Sequence, residues 1–276
     1  MYIVLNKASV SSLKMRFYIG FFCLVFSATN SVYSQSGGDF VANGSNLAHT
    51  QHSQAFFTNP AAVIQKKYSM GMWGNQRLMG TDILHGGINA AMGYKTSSIG
   101  ISANYAGTGN FNRSQLEGSY GIRMSSNLSL GFAVGMVSYQ QAPIGFKRNH
   151  ATARIGLHSA FADKWTASAV LLNPMYPIQN NFGIPTGAHM AVRYKVNKNT
   201  EAGLQAAVVP NTSDVLGLNI VHQISKKLQA MATLQTGYEP ITCGIALHTE
   251  KLKISFAAAY HTYFGFAPSF ALVWEK

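Results

Sequence analysis

Charged side chains are scarce in this sequence, and long apolar runs are missing after the N-terminal region. Only 11% of the 276 residues are charged, whereas soluble domains carry about 25%. A membrane-spanning helix needs roughly 18 consecutive apolar residues, and no run beyond Phe26 approaches that length. Lipid admits only helices and closed barrels as spanning structures, because only these satisfy every backbone polar group. The chain, if it spans a membrane, is therefore predicted to be a β-barrel.

Cysteine is nearly absent, and the spacing of metal ligands is absent. The two cysteines are Cys23, which lies in the N-terminal apolar run, and Cys243, so we expect no disulfide in the exported chain. His49 and His52 have no further ligands near them in the sequence, as a metal site would require. We expect neither a metal nor a cofactor.

Motifs of enzymes and of nucleic-acid-binding proteins are absent as well. No Gly-x-Ser-x-Gly nucleophile motif occurs, so we expect the chain not to be an enzyme. The formal net charge is +12, but no basic helix or aromatic RNA-binding signature accompanies it. The lysines fall mostly in predicted turns, where they would face anionic lipid headgroups. We therefore expect lipid, and not nucleic acid, as their partner.

The N-terminal region has the pattern of a cleaved export signal. Lys14 and Arg16 precede the apolar stretch 17–26, and small residues follow up to Ser34. Basic, apolar and small-residue regions in this order are typical of a secretory signal peptide. We expect cleavage after Ser34, with Met15 as an alternative start.

From Tyr68 onward, stretches of about ten residues alternate between apolar and small or polar side chains, which is the signature of transmembrane barrels. The clearest stretches are 128–136, 150–158, 228–235 and 252–260. Short turns near 95–98, 124–127, 161–164, 196–199, 224–227 and 249–251 alternate with longer loops near 106–113, 141–148, 173–185, 209–213 and 260–266. With a first strand at 68–77 and a last at 267–274, the count is about fourteen. A weak strand at 214–223 leaves the count open by two.

The residues before the first strand do not have a strand pattern. Pro60 disfavours helix at Asn59, and the Asn-Pro pair favours a turn. A fourteen-stranded lumen is wider than wall side chains alone can fill. We therefore predict three regions: a signal peptide at 1–34, a plug-like segment at 35–67 and a barrel at 68–276.

Three short motifs carry a resemblance to a known family. They are Asn59-Pro60-Ala61-Ala62 before the first strand, Leu171-Leu172-Asn173-Pro174 in mid-chain, and Ala259-Tyr260-His261 with the stretch 264–270 at the end. With the strand pattern, they resemble FadL-like long-chain fatty-acid transporters, and more specifically the PorV/PorQ type of outer-membrane protein associated with type IX secretion in Bacteroidota. The resemblance implies a fourteen-stranded barrel in which Asn59, Pro60 and Ala61 belong to a structural plug motif.

The alternation places ionisable side chains on the lumen face. Such groups brace the wall, hold the N-terminal segment or line a path for a ligand or ion. The predicted lumen-facing residues are Glu117, Arg123, His150, Arg154, His158, His189, Arg193, Glu201 and Lys253.

Three functions follow as alternatives. The resemblance to PorV/PorQ implies an accessory or structural barrel of a secretion system, which would contact a partner protein through loop 173–185. The resemblance to FadL implies a transporter of small hydrophobic compounds, with Val170, Leu172 and Met231 on the lumen face. A passive pore or purely structural barrel is the third alternative. We rank the secretion accessory first.

Overall fold

The computed structural model describes residues 53–64, 67–76, 84–108, 110–142, 145–175, 186–208, 214–236, 240–263 and 265–276. The predicted signal peptide and most of the predicted plug-like segment lie outside these residues. One short helix precedes fourteen strands in the described part. The elements are α1 (Ser53–Thr58), β1 (Tyr68–Gln76), β2 (Leu84–Tyr94), β3 (Ser97–Gly107), β4 (Phe111–Arg123), β5 (Leu128–Gln141), β6 (Phe146–Ala162), β7 (Trp165–Leu172), β8 (Gly187–Lys195), β9 (Thr200–Val208), β10 (Val215–Gln223), β11 (Leu228–Gln235), β12 (Ile241–His248), β13 (Leu252–His261) and β14 (Gly265–Glu275).

The fourteen strands form one closed antiparallel barrel. Each strand pairs with its neighbours in the chain, and β1 pairs with β14 to close the sheet. In that closing pair Ser69 lies opposite Glu275 and Asn75 opposite Ser269. Closure removes the sheet edges that would otherwise expose unpaired backbone groups. The predicted fourteen-stranded all-β barrel is confirmed.

Large apolar side chains cover the outside of the wall, and small or polar ones face the lumen. In β5 the exposed residues are Leu128, Leu130, Phe132, Val134 and Met136, whereas Ser129, Gly131 and Ala133 between them are buried. The last strand follows the same rule, with exposed Phe270 between buried Ser269 and Ala271. Such alternation suits a wall with lipid on one side.

Three predicted loops are shorter than expected, because the strands continue past the alternating region. Backbone pairing needs no hydrophobic pattern, and the first four side chains of β6 are all exposed although they belong to the ladder with β5. The corrections are 108–110 in place of 106–113, 142–145 in place of 141–148, and 262–264 in place of 260–266. The weak strand predicted at 214–223 is present as β10.

The two ends of the barrel differ. One end, here called the short-turn rim, carries the turns at 95–96, 124–127, 163–164, 196–199, 224–227 and 249–251, together with the beginning of β1 and the end of β14. In outer-membrane barrels the short turns face the periplasm. Among the described residues, no helix is long and apolar enough to cross a membrane.

The outward face of β10 allows a test of how the barrel is set in lipid. Leu218, near the middle of the strand, and His222, near its end, both point outward and are exposed. We expect Leu218→Arg to lower the free energy of unfolding by about 2–4 kcal/mol and His222→Arg by at most about 1 kcal/mol. Denaturant titration in phospholipid vesicles measures both. Equal costs for the two arginines would contradict a bilayer centred on the strand midpoint.

Candidate functional site in the barrel lumen

Residues 53–64, here called the lumen segment, lie inside the barrel against the inward faces of β1–β6. Its residues Phe56, Asn59 and Ala61 have 0% relative exposure. Helix α1 ends before Asn59, whose backbone N–H donates to Ala55 O at 2.8 Å. Pro60 then prevents a further helical turn, which agrees with the turn predicted at Asn59-Pro60. The helix itself was not predicted, since six residues are too few to show a helical period.

The wall beneath the lumen segment is built from inward-facing glycines. These are Gly71, Gly100, Gly121, Gly131 and Gly156, on β1, β3, β4, β5 and β6. A side chain at Gly131 would meet the backbone of Pro60, and one at Gly100 would meet Phe56 Cε1 at 2.9 Å. At Gly121 and Gly131 glycine is required, because a Cβ there would meet the backbone of Pro60, and only a residue without Cβ lets two backbones approach so closely.

Asn59 connects the segment to the wall and fixes its own turn. Its Nδ2 donates to Leu157 O on β6 at 3.1 Å. Its Oδ1 accepts from the backbone N–H of Ala61 at 3.0 Å. A buried amide that satisfies both functions is costly to replace, since an unpaired buried polar group costs about 1–3 kcal/mol. The plug motif of the sequence analysis is thus a hydrogen-bonded turn on the wall.

Further polar contacts hold both ends of the segment. Gln54 and Asn89 form a reciprocal amide pair, with N···O distances of 3.1 and 2.9 Å. Near the other end, the backbone N–H of Ile64 donates to Ser98 Oγ at 2.9 Å. These bonds come from side chains and not from a sheet ladder, so the segment is attached to the barrel without being part of its wall.

Glu117 and Arg154, both predicted to face the lumen, form an ion pair that holds the C-terminal end of α1. Arg154 Nε donates to Glu117 Oε2 at 3.0 Å, and its Nη2 donates to Glu117 Oε1. Its Nη1 donates to the carbonyls of Phe57 at 2.7 Å and Thr58 at 3.0 Å. Arg154 therefore satisfies helix-end carbonyls that have no intrahelical partner while Glu117 balances its charge.

A second polar group lies on β6–β9, beside the first. Arg193 Nη1 donates to Glu201 Oε2 at 2.8 Å, and His158 Nδ1 lies 2.7 Å from Ser168 Oγ. His189 is buried on the same face as Arg193. The structure thus pairs Glu117 with Arg154 and Arg193 with Glu201. The alternation of the sequence placed these residues on the lumen face but did not show which of them are partners.

The other predicted lumen residues occupy the ends of the barrel. Arg123 is half-buried at the end of β4, at the short-turn rim, and Lys253 is buried near the same rim on β13. His150 lies toward the opposite end, where its ring is 6.2 Å from that of Tyr139. They do not join the two ion pairs.

Apolar side chains occupy other parts of the inward face. Val221, Met231, Ala246 and Ala257 form a buried cluster on β10–β13. Val170 and Ala191 form a second, against which Leu172 packs. The inward placement of Met231, Val170 and Leu172 agrees with the sequence prediction. Among the described residues, no group of three or more His, Cys, Asp or Glu could hold a metal ion.

Sequence reasoning missed Gln54, Asn89 and the inward glycines. Asn89 lies between apolar Ile88 and Ala90 in β2, so its inward orientation follows from the alternation. The glycine positions also share the inward parity of their strands. That they all lie against the lumen segment became visible only from the register of the strands and the position of that segment.

The fold resembles known outer-membrane barrels, although no protein-family model and no curated protein matches the sequence. A FadL homologue of Pseudomonas aeruginosa aligns with a TM-score of 0.56 and 12% identity, over 90% of this chain and 98% of that chain. The Pseudomonas putida toluene transporter TodX aligns with a TM-score of 0.58 and 10% identity, again over 90% and 98%. A bacterial polysaccharide outer-membrane secretin aligns with a TM-score of 0.53 and 10% identity, over 77% of this chain and 99% of that chain.

Identities this low show the fold alone. The chain has a β-barrel fold like that of the FadL-type outer-membrane barrels, as its resemblance to that family implied. The narrower assignment to the PorV/PorQ type stays a prediction.

Proposed function

We propose that this barrel transports small hydrophobic compounds across the outer membrane, with the lumen segment acting as a movable hatch. The observation that carries the proposal is a chain segment folded inside the lumen and held there by side-chain hydrogen bonds. Bonds of this kind, from Arg154, Asn59 and Gln54, can break without disrupting the ladder of the wall. The apolar clusters of the inward face offer surface for an apolar solute.

The similarity to the toluene transporter TodX is a reason to rank transport of hydrophobic compounds above the secretion-accessory function. It reverses the ranking from sequence, in which the secretion accessory came first. A passive pore is the weaker alternative, because a segment seated in the lumen opposes free diffusion of water-soluble solutes.

The transport proposal is tested by changing the polarity of the apolar cluster. Met231 and Gln229 lie on the same inward face of β11, and only Met231 belongs to the cluster. We expect Met231→Glu to slow the uptake of radiolabelled toluene roughly tenfold, because a carboxylate in the apolar cluster retains water and disfavours contact with an apolar solute. Gln229→Glu adds the same charge outside the cluster and is expected to change uptake little.

The measurement uses intact cells of a Gram-negative host without its own transporter of this type, carrying the full chain or an empty vector. A small sugar serves as the polar reference solute. Toluene uptake equal to that of the vector control would refute transport of small hydrophobic compounds. Fast uptake of the sugar with no preference for toluene would indicate a passive pore.

The secretion-accessory function is the second candidate. In its predicted contact, loop 173–185, Met175 is exposed, and residues 176–185 lie outside the described part. Exposed apolar side chains on a loop suit a protein contact. Replacing the loop with a short Gly/Ser turn is expected to abolish co-purification of a stoichiometric partner and leave the barrel folded. Retention of the partner would refute this loop as the contact.

A further inference from the structure

The short-turn rim is strongly basic. Nine of its lysines are exposed, namely Lys67, Lys95, Lys164, Lys195, Lys198, Lys226, Lys227, Lys251 and Lys276. In the described part of this rim, the carboxylates are exposed Asp163, exposed Glu250, and half-buried Glu201 and Glu275. In the described part of the opposite rim, the exposed cations are Lys147 and Arg148. Within the residues that the structure describes, exposed positive charge is thus concentrated at the end that carries the short turns.

Three of these lysines lie near the place where the barrel closes. Tyr68 at the start of β1 exchanges backbone hydrogen bonds with Lys276, at 3.0 and 2.9 Å. The carbonyl of Lys67 accepts from the backbone N–H of Gly93 on β2 at 3.2 Å, which brings Lys67 close to Lys95. Lys67, Lys95 and Lys276, here called the seam lysines, therefore surround the junction of β14, β1 and β2.

Two tyrosines set the depth of this cluster in the membrane. Tyr68 and Tyr94 point outward and are 40% and 66% exposed. Lys67 Nζ lies 5.4 Å from the ring centre of Tyr68, and Lys95 Nζ lies 5.3 Å from that of Tyr94. Outward tyrosines at a barrel rim belong to the aromatic girdle at headgroup level. The two ammonium groups are therefore placed at the height of lipid phosphates.

Within the described part of the rim, the three seam lysines outnumber the acidic side chains near the end of β14, which are Glu275 and exposed Glu250. Glu275, the carboxylate nearest to the seam lysines in sequence, lies on the inward side of β14 and is half-buried. An ammonium resting over a ring keeps N–H donors that can bind a phosphate oxygen. Ammonium groups on adjacent strands attract the same anion most strongly when they lie within about one Debye length of one another, roughly 8 Å at physiological salt.

We propose that the seam lysines, with Tyr68 and Tyr94, form a binding site for the phosphate headgroup of an anionic glycerophospholipid at the short-turn rim. The ammonium groups bind the phosphate, the tyrosine rings pack against the glycerol region, and the outward apolar residues Met70 and Met92 line the path of the acyl chains. The site lies outside the lumen and does not depend on the transport proposal.

The test compares two triple variants that remove the same charge from the same rim. The seam variant is Lys67→Gln/Lys95→Gln/Lys276→Gln, and the control variant is Lys198→Gln/Lys226→Gln/Lys227→Gln, in the β8–β9 and β10–β11 turns. The full-length proteins are purified in detergent and titrated with phosphatidylglycerol or phosphatidylcholine, and native mass spectrometry counts the lipids retained. A shift in gel mobility on heating confirms that each barrel is folded.

We expect the wild type and the control variant to retain phosphatidylglycerol in preference to phosphatidylcholine, and the seam variant to lose at least about tenfold in affinity, since each lysine near an anionic lipid surface contributes substantially to binding. Added salt should weaken the wild-type interaction. Equal losses in both triple variants would overturn the site in favour of diffuse charge attraction. Equal retention of phosphatidylcholine and phosphatidylglycerol by the wild type would also overturn it.

Discussion

Glu117→Ala is expected to lower the free energy of unfolding by about 3–5 kcal/mol, the largest effect of any single substitution proposed for this chain. Glu117 is 2% exposed and holds two N–H groups of Arg154. Removing one partner leaves the other charge buried and unpaired, which is what makes such losses large. Arg154 would keep its hydrogen bonds to the carbonyls of Phe57 and Thr58, but these groups carry no negative charge to balance the guanidinium. Denaturant titration of the barrel in vesicles measures the change.

The double variant Glu117→Ala/Arg154→Ala separates the charge from the contact. Without the arginine no charge is left unpaired, so the double variant is expected to be more stable than Glu117→Ala alone. Ser119→Ala is the matched control on the same strand, because Ser119 Oγ lies 3.5 Å from Glu117 Oε1 and contributes little. A double variant less stable than the single one would show that Arg154 stabilises the barrel without Glu117.

Gly131→Val is expected to expel the lumen segment from its place on the wall. A Cβ at this position would meet the carbonyl group of Pro60. Neither backbone can give way as a flexible side chain would, so the cost is expected to exceed the ~1–3 kcal/mol of ordinary overpacking. The expected result is a barrel that still folds but whose conductance in a planar bilayer rises several-fold, since the segment no longer occupies its seat.

Gly118→Val is the control for that experiment. Gly118 lies on the neighbouring strand but faces outward, and a Cβ there would meet only Val134 O, at 4.0 Å. It changes the same residue type in the same wall without touching the segment, so wild-type conductance is expected. If Gly131→Val gives a folded barrel with wild-type conductance as well, the segment does not obstruct the lumen at this point.

The wall of the barrel was predictable because the lipid imposes a simple rule on each strand. Every second side chain faces hydrocarbon, so stretches such as 252–260 show their orientation in the sequence, and the inward parity of Lys253 and Ser255 followed directly. This rule does not apply to residues that extend beyond the lipid. Residues at the start of β6 are exposed on both faces, so nothing in the sequence marked them as strand and the loops were predicted too long.

The interior was predictable only in part. Alternation placed Glu117 and Arg154 on the lumen face, but their pairing depends on how β4, β5 and β6 are aligned, which spacing along the chain does not reveal. The glycines beneath the lumen segment could be recognised from the sequence only as part of its glycine content. The grouping of four of them under Pro60 and Phe56 emerges only when β3, β4, β5 and β6 are brought into register.

The pairing of β1 with β14 has a consequence for biogenesis. Ser69 meets Glu275 across this junction, so the contact joins nearly the two extremes of the described chain, and pairings so distant in sequence form late because loop closure must precede them. The lumen segment directly precedes β1 and is enclosed when β1 and β14 form their hydrogen bonds. A segment that docks onto the inward faces of β1–β6 before this pair forms would not need to enter through the rim of a finished barrel.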